Sequence, residues 1–337
     1  MRILFITRKY PPQIGGMEAF AYGLISNINA EKVIIALNKK QTHLIWWLPY
    51  ALILSLFQAR KVDRIHLCDG LLAPLGLIIK KIYHQPISVT VHGLDVTWPN
   101  FIYQKICVNS LKYLDKIVCV SHSTKQDCLA KNILANKLFV IPNGINVETR
   151  LIASLPDQKN KKILLTVGRL IKRKGVEWFV RHIMPKLDKN IEYWIVGAGP
   201  ERENIKLAIQ EKNLSAQVKM LGFVTSEELK KVYQLADIFI MPNIEIAGDR
   251  EGFGIVALEA NAHGLPVLAS DLEGIKDIII NGTNGYLISL QNSTDWIEKI
   301  QKMLYANQLN KQNIIDYCEK NYSWKIIAER YIALFNT

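Results

Sequence analysis

The stretch Ile238-Phe-Ile-Met-Pro-Asn-Ile-Glu-Ile-Ala-Gly-Asp-Arg-Glu251-Gly-Phe-Gly-Ile-Val-Ala-Leu-Glu259-Ala-Asn-Ala-His-Gly-Leu-Pro-Val-Leu-Ala269 decides the architecture. Ile238–Met241 and Val267–Ala269 are short apolar runs bounded by turn residues, the signature of strands buried on both faces. Between them a loop gives way, at about Gly254, to an apolar helical run. Strand, loop, helix and strand make one βαβ unit, and units of this kind build a parallel sheet wrapped by helices.

The same alternation extends in both directions. Ile163–Val167, Glu192–Val196, Val218–Leu221 and Tyr286–Ile288 read as further strands of this second set. Ile3–Ile6, Val33–Leu37, Arg64–Leu67, Ile87–Val91, Lys116–Val120 and Leu138–Ile141 form a first set, separated by helix-length segments such as Met17–Ile28, Leu72–Tyr83, Phe101–Leu114 and Ser123–Asn132. The pattern pauses at Pro142-Asn143-Gly144 and at the polar stretch 157–162, which suits a solvated linker. At 337 residues, 49% apolar and 21% charged, the chain has material for two buried cores. The expected architecture is α/β, two doubly wound Rossmann-like domains facing each other across a cleft. The first covers residues 1–148, the second 149–319, and a last helix, about 320–337, packs back on the first. Ligands in such sheets sit beyond the carboxyl ends of the strands.

Other classes are excluded. No run of 18 apolar residues could span a membrane. The longest, Leu44 to Phe57, is 14 residues and carries Pro49. The N-terminus lacks the pattern of a secretion signal, so a cytoplasmic protein is expected. Five scattered cysteines form no C-x-x-C pair and indicate neither disulfides nor a zinc site. Thr42–Arg60, with Trp46 and Trp47, reads either as a membrane-dipping element or as a buried helix with Pro49 near its start; the buried helix is the favoured reading. Residues 1–150 hold 18 Lys and Arg against 8 Asp and Glu, and residues 151–337 hold 24 against 22. The excess positive charge therefore lies in the first half, where it can attract phosphates or an anionic membrane face. No aromatic-interleaved basic motif points to nucleic acid.

Several segments could carry chemistry. Gly15-Gly16 follows the first strand and opens a helix, where backbone amides can approach a phosphate. Val196-Gly197-Ala-Gly-Pro200 begins like a dinucleotide fingerprint, but the third glycine position is Arg202, which disfavours an oxidoreductase; its glycines still make a tight strand-to-helix turn at the ligand-facing end of the sheet, where Gly197 is a donor-binding candidate. Gly168-Arg169 and Lys172-Arg-Lys174-Gly175 place positive charge at a strand end. There Arg169 can clamp a phosphate in bidentate fashion and Lys174 act as a point charge. Glu251 stands before the helix and Glu259 five residues into it, roughly 7.5 Å along an axis rising ~1.5 Å per residue. One nucleotide sugar could be held by both carboxylates while the free amides of Gly252, Phe253, Gly254 and Ile255 face its pyrophosphate. Structural salt bridges are the alternative for either glutamate alone.

At these residues the chain resembles the retaining glycosyltransferases of the GT-B fold, family 4. The E-x7-E motif of that family matches Glu251 and Glu259. The resemblance continues through the Pro-Pro-x-x-Gly-Gly loop, Val91-His-Gly-Leu-Asp95, Val120-Ser121, the Pro-Asn-Gly-Ile turn at 142–145, Val167-Gly-Arg169 and Gly264-Leu-Pro266. It implies that Gly16 lends its backbone to the donor phosphate, that Arg169 and Lys174 neutralise the leaving diphosphate, and that Glu259 holds the ribose. Glu251 would bind the transferred sugar beside the amides of Phe253 and Gly254, and His92 would bind a sugar hydroxyl near the reacting carbon. His92 also ends a strand and precedes Gly93, which aims it at the ligand side.

The implied activity is transfer of a hexose, with retention, from a UDP- or GDP-linked sugar to a glycan or lipid-linked acceptor, in envelope polysaccharide or glycolipid synthesis. The nucleotide sugar is a substrate; no cofactor and no metal are expected, in keeping with the lack of a D-x-D motif. An anionic membrane surface is a further expected partner, with the protein peripheral on its inner face. The alternatives are a nucleotide-sugar epimerase or hydrolase of the same fold and a non-catalytic binding subunit.

Overall fold

β1 (Arg2–Thr7) lies between two parallel neighbours, β2 (Glu31–Ala36) and β3 (Arg64–Leu67), in the computed structural model, which describes residues 1–13, 15–147, 161–246, 253–272, 274–306 and 309–337. The sheet continues from β3 through β4 (Ile87–Val91), β5 (Lys116–Cys119) and β6 (Leu138–Val140), giving the order β2-β1-β3-β4-β5-β6. A second sheet joins β7 (Lys162–Val167), β8 (Ile191–Val196), β9 (Val218–Gly222), β10 (Ile238–Met241), β11 (Val267–Ser270) and β12 (Gly285–Ile288) in the order β12-β11-β10-β7-β8-β9. All their pairings are parallel. Central strands such as β4 and β10 are buried at every residue, because helices cover both faces. The two doubly wound sheets expected from the sequence are therefore present. Contacts divide the chain into Met1–Ile145 with Tyr322–Thr337, and Asn146–Asn321. The expected linker at 157–162 lies mostly outside the described residues.

Strand order places the sites. In the first sheet the chain reverses direction between β1 and β3; in the second it reverses between β7 and β10. At such a switch point the connections leave on opposite faces and open a crevice at the carboxyl ends of the two strands. The residues that follow β1, β3, β7 and β10 are thus the ones to inspect.

One face of the first sheet is covered by helices Gly16–Asn27 and Trp324–Asn336, which share a core with Phe5, Phe20, Leu24 and Tyr331. Gly144 and Gly23 explain how the last helix seats. A Cβ at either would meet the Trp324 ring, at 2.4 and 2.1 Å respectively. Ile145 then donates to the Tyr322 carbonyl at 2.8 Å and accepts from the Trp324 amide at 3.3 Å. The Pro-Asn-Gly-Ile turn is thus a socket for Trp324. Inside, Thr90 Oγ1 meets the Tyr331 hydroxyl at 2.8 Å and His66 Nε2 at 3.2 Å. Burial depresses His66 to a pKa of about 3, so this imidazole is neutral.

The other face carries helices Leu44–Ala59 and Ala73–Tyr83, then the 101–111 segment. Two expectations need correction here. Phe101–Leu114 is not one regular helix: a wide π turn at Gln104–Val108 interrupts it. The 44–59 helix is also not a buried one. Trp47, Ala51, Ser55 and Ala59 face the core, but Ile45, Trp46, Tyr50, Ile53 and Phe57 are exposed. Pro49 is its sixth residue rather than near its start. The amide that Pro49 lacks leaves the Ile45 carbonyl to solvent, on the exposed side, where water can satisfy it.

Candidate active site

In the second unit, β7 ends at Val167 and the chain turns through Gly168, at φ +144°, to Arg169, which is exposed. Lys172–Lys174 form a 3-10 turn closed by Gly175 at φ +64°. A Cβ at Gly175 would sit 1.8 Å from the Pro242 carbonyl oxygen, so only glycine lets the basic turn lie against the segment after β10. The Lys174 side chain passes over Gly168. Gly197 has a different use from the one expected. Its amide donates to the Gly222 carbonyl at 2.7 Å, and its Cα faces the Gly168 carbonyl, where a Cβ would come within 1.9 Å. It fits two strand-end loops together, and its N–H is committed to protein.

After β10 the described chain resumes at Phe253, which is buried, and Gly254, in the left-handed region at φ +74°. Gly254 caps the helix Ile255–Ala262 without a side-chain acceptor; the Ala257 amide reaches back to the Gly254 carbonyl at 2.9 Å, and the amides ahead of it form the positive end of the helix. Glu251 and Gly252 lie outside the described residues. Glu259 is on this helix. Tyr233 donates its hydroxyl to Glu259 Oε2 at 3.2 Å, and Lys174 interacts with it electrostatically. Burial raises the Glu259 pKa, and the Tyr233 hydrogen bond and the Lys174 charge offset only part of that. The carboxylate is therefore held at an energetic cost that ligand hydroxyls could repay. His263 secures the helix from below: Nδ1 lies 2.8 Å from the Glu259 carbonyl oxygen, and the ring stacks on Tyr233 at 4.9 Å. A buried Asn261–Asn284 pair, 2.8 Å apart, ties the helix to the strand entering β12.

In the first unit, Gly16 begins the helix after β1. The Glu18 carboxylate, 3.1 Å from Lys9 Nζ, folds back over Gly15. Gly16 is exposed, and among the described residues a Cβ there would meet no atom within 4 Å outside its chain neighbours and its own helix backbone. The chain's own packing does not require glycine at 16. His92 follows β4. Its Nε2 lies 3.1 Å from the Cys68 carbonyl, which can only accept, so in the neutral ring the proton is on Nε2 and Nδ1 is an acceptor. The ring edges against Phe20 at 4.7 Å. Asp95 Oδ2 accepts from the amides of His92 at 3.0 Å and Gly70 at 3.2 Å, locking the ends of β4 and β3 together.

The sequence reading missed three partners of this machinery. Arg8 Nε donates to the fully buried Asp69 at 3.0 Å, and Arg8 Nη1 donates to Gln41 at 3.2 Å. Asp69 Oδ2 is buried with no hydrogen-bond partner among the described residues. Burial raises the Asp69 pKa, Arg8 opposes this, and Asp95 adds to it. Arg8 and Asp69 each follow a strand at the β1/β3 switch point, a signal that strand order supplies and local sequence does not. Tyr233, the third, gave no signal at all: on an amphipathic helix it reads as core. Among the described residues, no group of three His, Cys, Asp or Glu side chains could hold a metal ion, and no helix is long and apolar enough to cross a membrane.

Two family models match the chain. The model of the family "Glycosyl transferases group 1" matches residues 147–320, just over half of the chain, and that of "Glycosyltransferase Family 4" matches residues 3–149. An uncharacterized glycosyltransferase of Methanocaldococcus jannaschii is 27% identical over 99% of this chain and 98% of its own. An Escherichia coli UDP-Gal:alpha-D-GlcNAc-diphosphoundecaprenol alpha-1,3-galactosyltransferase is 24% identical over 76% of this chain and 70% of its own. Among solved structures, Anabaena HepE in complex with UDP superposes with a TM-score of 0.80 at 17% identity, covering 100% of both chains, and this shows the fold. The chain belongs to the glycosyl transferases group 1 family, with a family 4 amino-terminal half, and is a glycosyltransferase of GT-B fold.

Proposed function

We propose that the protein moves a hexose, with retention of configuration, from a nucleotide-diphosphate sugar to a hydroxyl of a glycan or lipid-linked acceptor. One observation carries the reading. Arg169, the Lys174 turn and the positive end of the Ile255–Ala262 helix all follow β7 and β10, the switch-point strands of the second sheet. A diphosphate is the ligand that cationic side chains and unpaired amides can share at such a place. Support for a UDP-linked donor and a lipid-linked acceptor comes from the names of the relatives, which include UDP complexes and a diphosphoundecaprenol substrate. Such an acceptor would place the enzyme at the inner face of a membrane, in the synthesis of an envelope polysaccharide or glycolipid.

On this reading the acceptor oxygen bonds to the anomeric carbon on the face from which the diphosphate leaves. The bond from that carbon to the phosphate oxygen breaks, and the hydroxyl proton passes to a diphosphate oxygen. Arg169, Lys174 and the helix amides of Phe253, Gly254 and Ile255 neutralise the leaving group, the kind of preorganised electrostatics that often dominates catalysis. Gly16 contributes its amide to the same phosphates. Glu259 takes the ribose hydroxyls, Glu251 the hydroxyls of the transferred sugar, and His92 accepts a sugar hydroxyl through Nδ1. No metal or cofactor enters the scheme.

A thermal-shift panel of nucleotide sugars tests it, since a ligand specific to the folded state raises its melting temperature. One UDP- or GDP-sugar should stabilise the wild type, and Glu259→Ala should abolish the shift. Glu251→Ala should keep the shift and lose transfer. Consumption of the donor with no transferred product, whatever acceptor is supplied, would instead favour an epimerase or hydrolase.

A further inference from the structure

The helix Leu44–Ala59 has two apolar faces and no charged residue. One face belongs to the core of the first unit. On the other, Trp46, Tyr50, Ile53 and Phe57 recur at i, i+4, i+7 and i+11 and are 80%, 56%, 55% and 69% exposed. The helix packed beside it, Ala73–Tyr83, adds Ile78 and Ile82, 43% and 52% exposed. Large apolar side chains left exposed along a whole helix face mark a contact with something else.

The charges around it identify the partner. Lys39 and Lys40 stand before the helix and Arg60 and Lys61 after it, all exposed. On neighbouring elements Lys81 and Lys105 are also exposed, whereas Lys80 is paired with Asp115. Aromatic side chains flanked by cations of a single sign are the chemistry of an in-plane helix at a lipid interface. At 16 residues the helix is about 24 Å long, too short to cross a bilayer. We infer that this face docks on an anionic phospholipid bilayer, with Trp46, Tyr50, Ile53 and Phe57 in the interfacial layer and Lys39, Lys40, Arg60 and Lys61 against lipid phosphates. The inference rests on the membrane placement proposed above, to which it adds the docking surface, and it uses none of the residues of the proposed reaction.

The test is co-sedimentation of the full chain with vesicles of phosphatidylcholine, alone or mixed with phosphatidylglycerol, at low and moderate salt. Binding should require phosphatidylglycerol and weaken with salt. Lys40→Glu with Lys61→Glu should weaken it about tenfold or more, and Trp46→Ser with Phe57→Ser by at least as much. Both pairs should keep the wild-type melting temperature and the wild-type response to nucleotide sugars, which separates loss of docking from loss of the fold or the donor site. Equal binding to both vesicle types, or variants that bind like the wild type, would overturn the inference. So would a self-associated species in sedimentation velocity that Trp46→Ser with Phe57→Ser dissolves, because the face would then belong to a second copy.

Discussion

Gly16→Ala separates what the fold requires from what a ligand requires. Gly16 is the first residue of its helix, and among the described residues the added methyl would meet no atom within 4 Å outside its chain neighbours and its own helix backbone. Alanine there loses less backbone entropy on folding, so the variant should be more stable by about 0.4–1 kcal/mol. For a unit of this size that is an increase in melting temperature of about 1–4 °C. The same methyl would stand beside the amide that the proposed mechanism gives to a donor phosphate. Losing one hydrogen bond to a charged group costs about 1.5–3 kcal/mol, or about a 10- to 150-fold drop in kcat/KM. The assay is nucleoside diphosphate release with the donor found by thermal shift, alongside differential scanning calorimetry. Gly175→Ala is the contrasting control. Its methyl would lie 1.8 Å from the Pro242 carbonyl oxygen at φ +64°, so it should lose more than about 2 kcal/mol of stability. An unchanged kcat/KM in a stabilised Gly16→Ala protein would refute the role given to this glycine.

Two further perturbations probe the scaffolding. Glu259 has its folded-state pKa raised above the ordinary 4.5, so ionising it opposes folding, and its contribution falls as pH rises through that value. Without donor, Glu259→Gln should therefore be more stable than the wild type at pH 7 by urea denaturation, and the gain should vanish below about pH 4; equal destabilisation at both values would contradict the burial argument. Asp95→Ala orphans the amides of His92 and Gly70 and should cost about 2–4 kcal/mol. Asp95→Asn keeps one acceptor oxygen and should restore most of that stability, a rescue that a purely electrostatic role for Asp95 would not give.

The strands were legible because parallel strands buried on both faces are runs of apolar residues that turn residues interrupt. Ile87–Val91 and Ile238–Met241 match to the residue. Strand order was not legible, because a periodic pattern marks elements and not their neighbours, and with it went the switch points and the Arg8–Asp69 pair. The 44–59 helix misled for a related reason. With no polar residue face to set against an apolar one, nothing in its pattern tells which side meets water. Glycines told more in the structure than in the sequence: Gly175 and Gly197 serve packing, whereas Gly16 is exposed. Glu259 was visible as a carboxylate in an apolar run, but Tyr233, which holds it, comes from another helix with no local mark.

The central claim is that a diphosphate is gripped by Arg169, Lys174 and the helix amides. Isothermal titration of UDP and GDP, each beside its parent nucleoside, into the wild type and into Arg169→Ala with Lys174→Ala tests it most directly. The account predicts that one diphosphate binds the wild type far more tightly than its nucleoside, and that the double variant binds the two alike. A diphosphate that binds the double variant as tightly as it binds the wild type would contradict it.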